Sequence, residues 1–243
     1  MVLDSFVILN GTLSLIVVIS SFLAGILILH KYRKYKQKTF LYVGFTSIGL
    51  LSFWWPSSLS FLIALFDDVG LQPYPSVYFV IMVLLSAPTV ISWMLALDSL
   101  MEKRNKWRKF LIILISLEVI FFELIFIIIA VLNPLYIGDL ISPVDIYLFL
   151  LGLIFFINAG LIISLVTISF SLNSMKSPLP EIRLKAILIL ISGMLFLVCT
   201  FADGIIHLNI IALTVIRLLL ILTVFIMYCG FHLPNFLKKI LLK

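Results

Sequence analysis

The sequence predicts an all-α fold: a polytopic transmembrane bundle of seven helices, followed by a short C-terminal amphipathic segment. Hydrophobic residues fill 63% of the 243 positions, and charged residues only 12%. Soluble domains are about 45–50% apolar and about 25% charged. The composition therefore excludes soluble, disordered and coiled-coil proteins. Long apolar runs predict the number of helices, and a one-sided distribution of Lys and Arg predicts their orientation in the membrane.

Seven runs in the chain are long and apolar enough to cross a bilayer. A helix needs about 20 mostly apolar residues to cross about 30 Å of hydrocarbon. The polar breaks between the runs are too short to hold a second folded domain, so we assign residues 1–243 to one transmembrane domain. The predicted spans are approximately 6–29, 40–66, 76–100, 109–132, 144–172, 184–207 and 210–232.

The segment after the last span, residues 235–243, has apolar residues on one helical face and lysines mostly elsewhere. This pattern predicts a short amphipathic helix that lies along the membrane surface, where its lysines would meet anionic headgroups. A basic tail without helical structure, which anchors the last span, is the alternative.

Lys and Arg lie almost entirely on one side of the predicted membrane. Sixteen of the 17 fall in alternate breaks, at the span ends next to those breaks, or in the tail, and Arg217 alone lies in the interior of a span. Because basic loops stay in the cytoplasm, we expect a multi-pass protein of the cell membrane with its N-terminus outside and its C-terminus inside. The basic loops would contact headgroups or a cytoplasmic partner, unless their charge serves orientation alone. The residues expected to make these contacts are Lys31, Arg33, Lys34, Arg104, Lys106, Lys238 and Lys239.

Four ionisable residues lie well inside the predicted spans: Glu118, Glu123, Asp203 and Arg217. Each costs about 2.5–3.5 kcal/mol on insertion scales and so requires a partner or a function. They form either locks between helices or an outward-facing polar pocket, and both interpretations stay open. Counted from the span ends, Glu118 lies near the level of Asn158.

The short turn between the last two spans makes them antiparallel neighbours and places Asp203 near Arg217. We predict an ion pair between these two side chains, with Glu123 as the alternative partner of the arginine. His207 lies four residues after Asp203, a spacing that two metal ligands can share, but a third ligand is missing nearby. We therefore predict no metal site.

Two tryptophans, Trp54 and Trp55, lie deeper than an aromatic belt and are candidates for the lining of a pocket. Pro56 and Pro88 are expected to kink their helices. No span is visibly broken by paired Gly or Pro near its middle.

Seven helices with an outside N-terminus and an amphipathic segment after the seventh resemble the layout of rhodopsins and G-protein-coupled receptors. The layout is also similar to the seven-helix sensor regions of some prokaryotic histidine kinases. No lysine lies in the interior of a predicted span, so the retinal attachment point of rhodopsins is missing. The ending Tyr228-Cys-Gly-Phe-His-Leu-Pro234, after an arginine-bearing span, resembles that of archaeal seven-helix membrane proteins, a resemblance that implies no activity.

These observations lead to a sensor or receptor-like membrane protein that acts through a separate cytoplasmic partner. The alternative is a small proton- or solute-coupled carrier or channel that uses the intramembrane carboxylates, although transporters commonly contain visibly broken spans. We find no metal-ligand cluster and no serine paired with a base, so we expect neither an enzyme nor a cofactor. The lipid bilayer is the expected partner, nucleic acid is not, and the oligomeric state stays open.

Overall fold

The computed structural model of the protein describes residues 3–101, 106–205, 209–234 and 238. Within these residues, seven helices are long and apolar enough to cross a membrane, which confirms an all-α, multi-pass bundle. We call them spans one to seven; spans two and three each consist of two helices. In chain order the helices are α1 (Ser5–Tyr35), α2 (Lys38–Gly49), α3 (Trp55–Asp67), α4 (Pro75–Val83), α5 (Ser86–Leu100), α6 (Lys106–Leu132), α7 (Leu150–Ser174), α8 (Pro180–Ile205) and α9 (Ile210–Phe231).

Six of the spans form a closed ring in the order one, two, three, five, six and seven, and span seven returns to span one. Span four packs outside this ring, mainly against span three, and most of its surface is exposed. Small residues allow close approach within the ring. Between spans one and two, Gly25 packs against Ile48, and a Cβ on either Gly25 or Gly44 would overlap with the facing helix.

Spans two and three are interrupted partway through the membrane. In span two a 3-10 turn at Ser52–Trp54 separates α2 from α3, and in span three the residues between Val83 and Ser86 separate α4 from α5. Pro56 lies in the first turn of α3 and Pro88 in the first turn of α5, so each proline follows an interruption at the start of a new helix, where the kink of a continuous helix was expected. The lack of paired Gly or Pro near the middle of any span predicted unbroken spans. For spans two and three this prediction is wrong.

The two interruptions lie next to each other in the bundle. Gly49, the last residue of α2, packs so tightly against Thr89 in the first turn of α5 that a Cβ at Gly49 would overlap with the threonine hydroxyl. Backbone groups freed inside a bilayer require partners. The Ser21 hydroxyl of span one supplies one at α2, because it donates to the carbonyl oxygen of Ser47 at 2.6 Å.

A β-hairpin precedes span five, which begins later than predicted. Strand β1 (Gly138–Ser142) pairs antiparallel with β2 (Asp145–Leu148), so residues 144–149 do not belong to the span. The hairpin was mistaken for part of the span because its buried side chains, Leu140, Val144 and Leu148, are apolar. In a sequence window they are as hydrophobic as the residues of a membrane span. Val144 reaches across to Val7 of span one and Phe61 of span two, so the hairpin covers this end of the bundle.

Apart from Arg217, the described Lys and Arg residues belong to one end of the bundle. At one end, which we call the basic end, Thr39 and Ser99 share a hydrogen bond of 2.6 Å, and Lys238 pairs with Glu181 at 2.6 Å. The hairpin lies at the other end, the acidic end, together with Asp67, Asp68 and Asp139. Of the amphipathic segment predicted over 235–243, only Lys238 belongs to the described residues.

Candidate functional site: a polar cluster beneath the hairpin

The arginine of span seven forms the predicted ion pair with the aspartate of span six. Arg217 Nη1 lies 2.8 Å from Asp203 Oδ1, and the two side chains are only 5% and 15% exposed. Span four packs mainly on span three, and Glu123, the alternative partner, bonds to the first turn of α5 instead of to Arg217. The ion pair therefore connects the last two spans within the buried part of the bundle.

A tryptophan from the interruption of span two completes the carboxylate's hydrogen bonding. The indole Nε1 of Trp54 donates to Asp203 Oδ2 at 2.7 Å. The guanidinium carbon of Arg217 also lies 5.6 Å from the centre of the same indole ring, a cation–π contact. The 3-10 turn places Trp54 where it meets both charged groups. We call Asn10, Trp54, Asp203 and Arg217 the polar cluster.

Asn10 of span one is the member of the polar cluster that sequence reasoning missed. Its side chain is fully buried, and its Oδ1 accepts from Arg217 Nη2 at 3.3 Å and from Ser14 Oγ at 3.3 Å. Within the described part of the chain, Asn10 Nδ2 and Arg217 Nε are buried without hydrogen-bond partners. An asparagine inside an apolar run was the signal that could have identified it, because buried amides require partners.

A small cavity lies between the polar cluster and the hairpin. Its volume is about 50 Å³, enough for about three water molecules and far below the 300–1,000 Å³ of ordinary ligand pockets. Asp203, Arg217 and Trp54 form one side, and Ser57 belongs to the wall as well. Residues of β2 and the turn before it, including Asp145, form the roof. The cluster is thus a covered polar site near the acidic end.

Glu123 does not belong to the polar cluster, where an outward-facing polar pocket of the four intramembrane charges would have placed it. Its Oε2 accepts from the backbone N–H of Ala87 at 2.5 Å and from the Ser86 hydroxyl at 2.9 Å. These groups form the first turn of α5, whose N–H groups have no partners within the helix. A carboxylate is also favoured there by the helix dipole. Glu123 therefore connects span four to the interruption in span three.

Glu118 makes a second connection of span four, on another side of the helix. Its Oε1 accepts from Asn158 Nδ2 of span five at 2.7 Å, which confirms that the two residues lie at one level. Both glutamates are half-buried and bonded to neighbouring helices. Their geometry is that of locks between helices, separate from the polar cluster.

The remaining predicted residues lie in several places. Trp55 faces away from the cluster and stacks on Phe22 of span one, with ring centres 5.1 Å apart. At the basic end, the ammonium of Lys31 lies over the Tyr228 ring at 5.2 Å and so is turned into the bundle. Of the basic residues predicted to contact headgroups or a partner, Arg33, Lys34, Lys106 and Lys238 are exposed. The predicted residues His207, Arg104 and Lys239 lie outside the described residues.

Comparisons with known proteins do not assign the chain to a family. No protein-family model matches it, and neither the curated proteins nor the solved structures include a significant match. The assignment rests on the structure, whose seven long apolar helices are those of a multi-pass membrane protein.

Proposed function

We propose that the chain is a receptor-like sensor of the cell membrane that acts through a separate cytoplasmic partner. The polar cluster beneath the hairpin is the observation that carries the proposal, because it gathers charged and polar groups from spans one, two, six and seven. The N-terminus is proposed to be outside, since the basic loops favour the cytoplasm. The acidic end then faces the stimulus.

The chemistry of the cluster suggests how a stimulus would act. A small amine would compete for the carboxylate of Asp203, and a small carboxylate or phosphate would compete for Arg217. Either would weaken the ion pair and leave one charge to find a new partner. Because the cavity holds only about 50 Å³, the ligand must be small or must move the hairpin.

Span two offers a route from the cluster toward the basic end. Trp54 lies in the turn between α2 and α3, so a movement of its indole acts on the junction of these helices. The helix α2 extends from that junction to Lys38, next to the first basic loop. A ligand that favours one arrangement of the junction would therefore shift the arrangement of the loop.

Site-specific photocrosslinking in intact cells tests the proposal. A photoreactive residue at the exposed Arg33 position is expected to capture a soluble protein, and one at Tyr136, which is exposed at the acidic end, is the matched control. Asp203→Asn should change the yield of the Arg33 adduct at least about twofold, because it weakens the ion pair. Absence of an adduct, or a yield that Asp203→Asn leaves unchanged, contradicts the proposal.

The carrier remains the second candidate, and the interrupted helices are the observation that favours it. Carriers commonly bind substrate where two broken helices meet, and the interruptions of spans two and three meet at Gly49 and Thr89. Flux of protons and of small labelled solutes into proteoliposomes distinguishes the candidates. Flux that Asp203→Asn abolishes would favour the carrier, and its absence, together with the adduct, would favour the sensor.

A further inference from the structure

A second cavity lies near the basic end, apart from the polar cluster and independent of the proposed function. It has a volume of about 250 Å³ and is lined by the last turns of α5, the first turns of α6 and the half of α7 nearer the basic end. Its walls are mostly apolar, and they include the methionines Met94 and Met101. Methionine side chains adapt to ligands of irregular shape. The cavity therefore suits a flexible apolar group.

The cavity opens between spans four and five. These spans pack against each other only over a short stretch, and Leu111 on α6 and Leu165 on α7 line the cavity while 50% and 62% exposed. An exposed apolar opening in a membrane-spanning segment faces hydrocarbon. An acyl chain can enter such an opening from the bilayer without passing a polar layer.

Charged groups stand at the basic end of the same cavity. Arg108 and Asp98 both line it and form an ion pair. Arg108 also donates from Nη1 to the sulfur of Met101 at 2.8 Å. A thioether is a weak acceptor, and a phosphate oxygen would be a much stronger one for a guanidinium.

The net charge around this end favours an anion. Lys106 and Lys109 are exposed in the first turn of α6, within three residues of Arg108. With Arg108 they give the first turn of α6 three cations, against the single carboxylate of Asp98 among these residues. Basic clusters next to a membrane attract anionic headgroups by about 1 kcal/mol per charge.

We propose that this cavity binds one anionic phospholipid, with an acyl chain between α5, α6 and α7 and its phosphate on Arg108. The apolar opening toward the bilayer accounts for the chain, and the cations at the basic end account for the headgroup. A single lipid satisfies both features, and the polar cluster at the acidic end has no part in the binding.

The chain-binding part is tested by native mass spectrometry of the purified protein. We expect one retained phospholipid on the unmodified chain. Leu165→Trp, which blocks the opening, should reduce the retained lipid several-fold. Leu161→Trp is the matched control, since Leu161 is an exposed leucine one turn away on α7 that does not line the cavity. No retained lipid, or equal losses in the two variants, overturns the proposal.

The headgroup part is tested by the thermal midpoint with added phosphatidylglycerol, phosphatidylcholine of the same chains, or inorganic phosphate. Phosphatidylglycerol should bind more tightly than phosphatidylcholine, and Arg108→Gln, which removes one cation and leaves the carboxylate of Asp98, should reduce this preference about tenfold. Asp98→Asn, the matched control, removes the carboxylate and should not reduce it. An unchanged preference overturns the assignment of Arg108. An equal midpoint shift with inorganic phosphate would indicate a free-anion site, and a chain dimer that Leu165→Trp dissociates would indicate a second copy; either result overturns the lipid.

Discussion

Removal of one member of the Asp203–Arg217 ion pair should destabilise the bundle far more than removal of both charges together. In Arg217→Leu the carboxylate keeps only the indole of Trp54, at 2.7 Å. In Asp203→Leu the guanidinium keeps the amide oxygen of Asn10, at 3.3 Å. Each single variant thus leaves a charge in a site where the two side chains are only 5% and 15% exposed.

The expected free energies follow from this burial. Breaking a buried ion pair by removing one partner costs about 3–5 kcal/mol, so independent losses would add to about 6–10 kcal/mol. The double variant Asp203→Leu/Arg217→Leu contains neither charge and leaves only the neutral Trp54 and Asn10 groups without their partners. These cost about 1–3 kcal/mol. The double variant should therefore be no less stable than either single variant, with a coupling energy of at least about 3 kcal/mol.

The assay is equilibrium unfolding in mixed micelles, followed by circular dichroism as the denaturing detergent is increased. The control pair is Glu181 and Lys185, an i,i+4 ion pair of 3.2 Å with side chains 38% and 35% exposed. Its coupling energy should be below about 0.5 kcal/mol. Additive losses at Asp203 and Arg217, or equal couplings in the two pairs, would refute the reasoning and the functional proposal built on the cluster.

Three further outcomes are expected. In intact cells, a membrane-impermeant thiol reagent should modify Tyr136→Cys at the acidic end and leave Arg33→Cys unmodified; the reverse pattern would invert the proposed orientation. Glu123→Ala should cost about 1–3 kcal/mol of unfolding free energy, because the first turn of α5 loses its carboxylate acceptor; Glu123→Gln, which retains an oxygen, should cost less, and equal losses would exclude capping by charge. Gly49→Ala should destabilise by about 1–3 kcal/mol through overlap with the Thr89 hydroxyl, and a second change, Thr89→Ala, should recover part of the loss; no recovery would mean that the strain lies elsewhere.

The sequence predicts the number of spans and most of their limits because both depend on local composition. A bilayer selects about 20 apolar residues per crossing, and a window along the chain measures the same property. The Asp203–Arg217 pair was also predictable, since the short turn at Asn209 makes spans six and seven neighbours and their helical rise sets the levels of the two groups.

The interruptions of spans two and three escaped the sequence for a physical reason. Residues 50–54 and 84–86 are mostly apolar and contain neither Gly nor Pro, so a window sees a continuous helix. The strands of the hairpin were hidden similarly, because residues 144–149 are apolar enough to extend the window of span five. The hydropathy of a segment predicts whether the segment is buried in lipid or protein. It does not predict whether the backbone of that segment is helical, extended or interrupted.

Tertiary structure alone decided which polar groups meet. Trp54 reaches Asp203 only because the interruption of span two brings its indole to span six across the interior of the ring, and Glu123 caps α5 only because span four lies outside the ring against span three. Contacts between spans distant in sequence depend on the order of helices around the bundle, which local composition does not encode. The reason is energetic: every apolar span is equally stable in lipid, so burial of apolar surface does not select its neighbours. The neighbours are selected by close packing and by polar groups that must find hydrogen-bond partners.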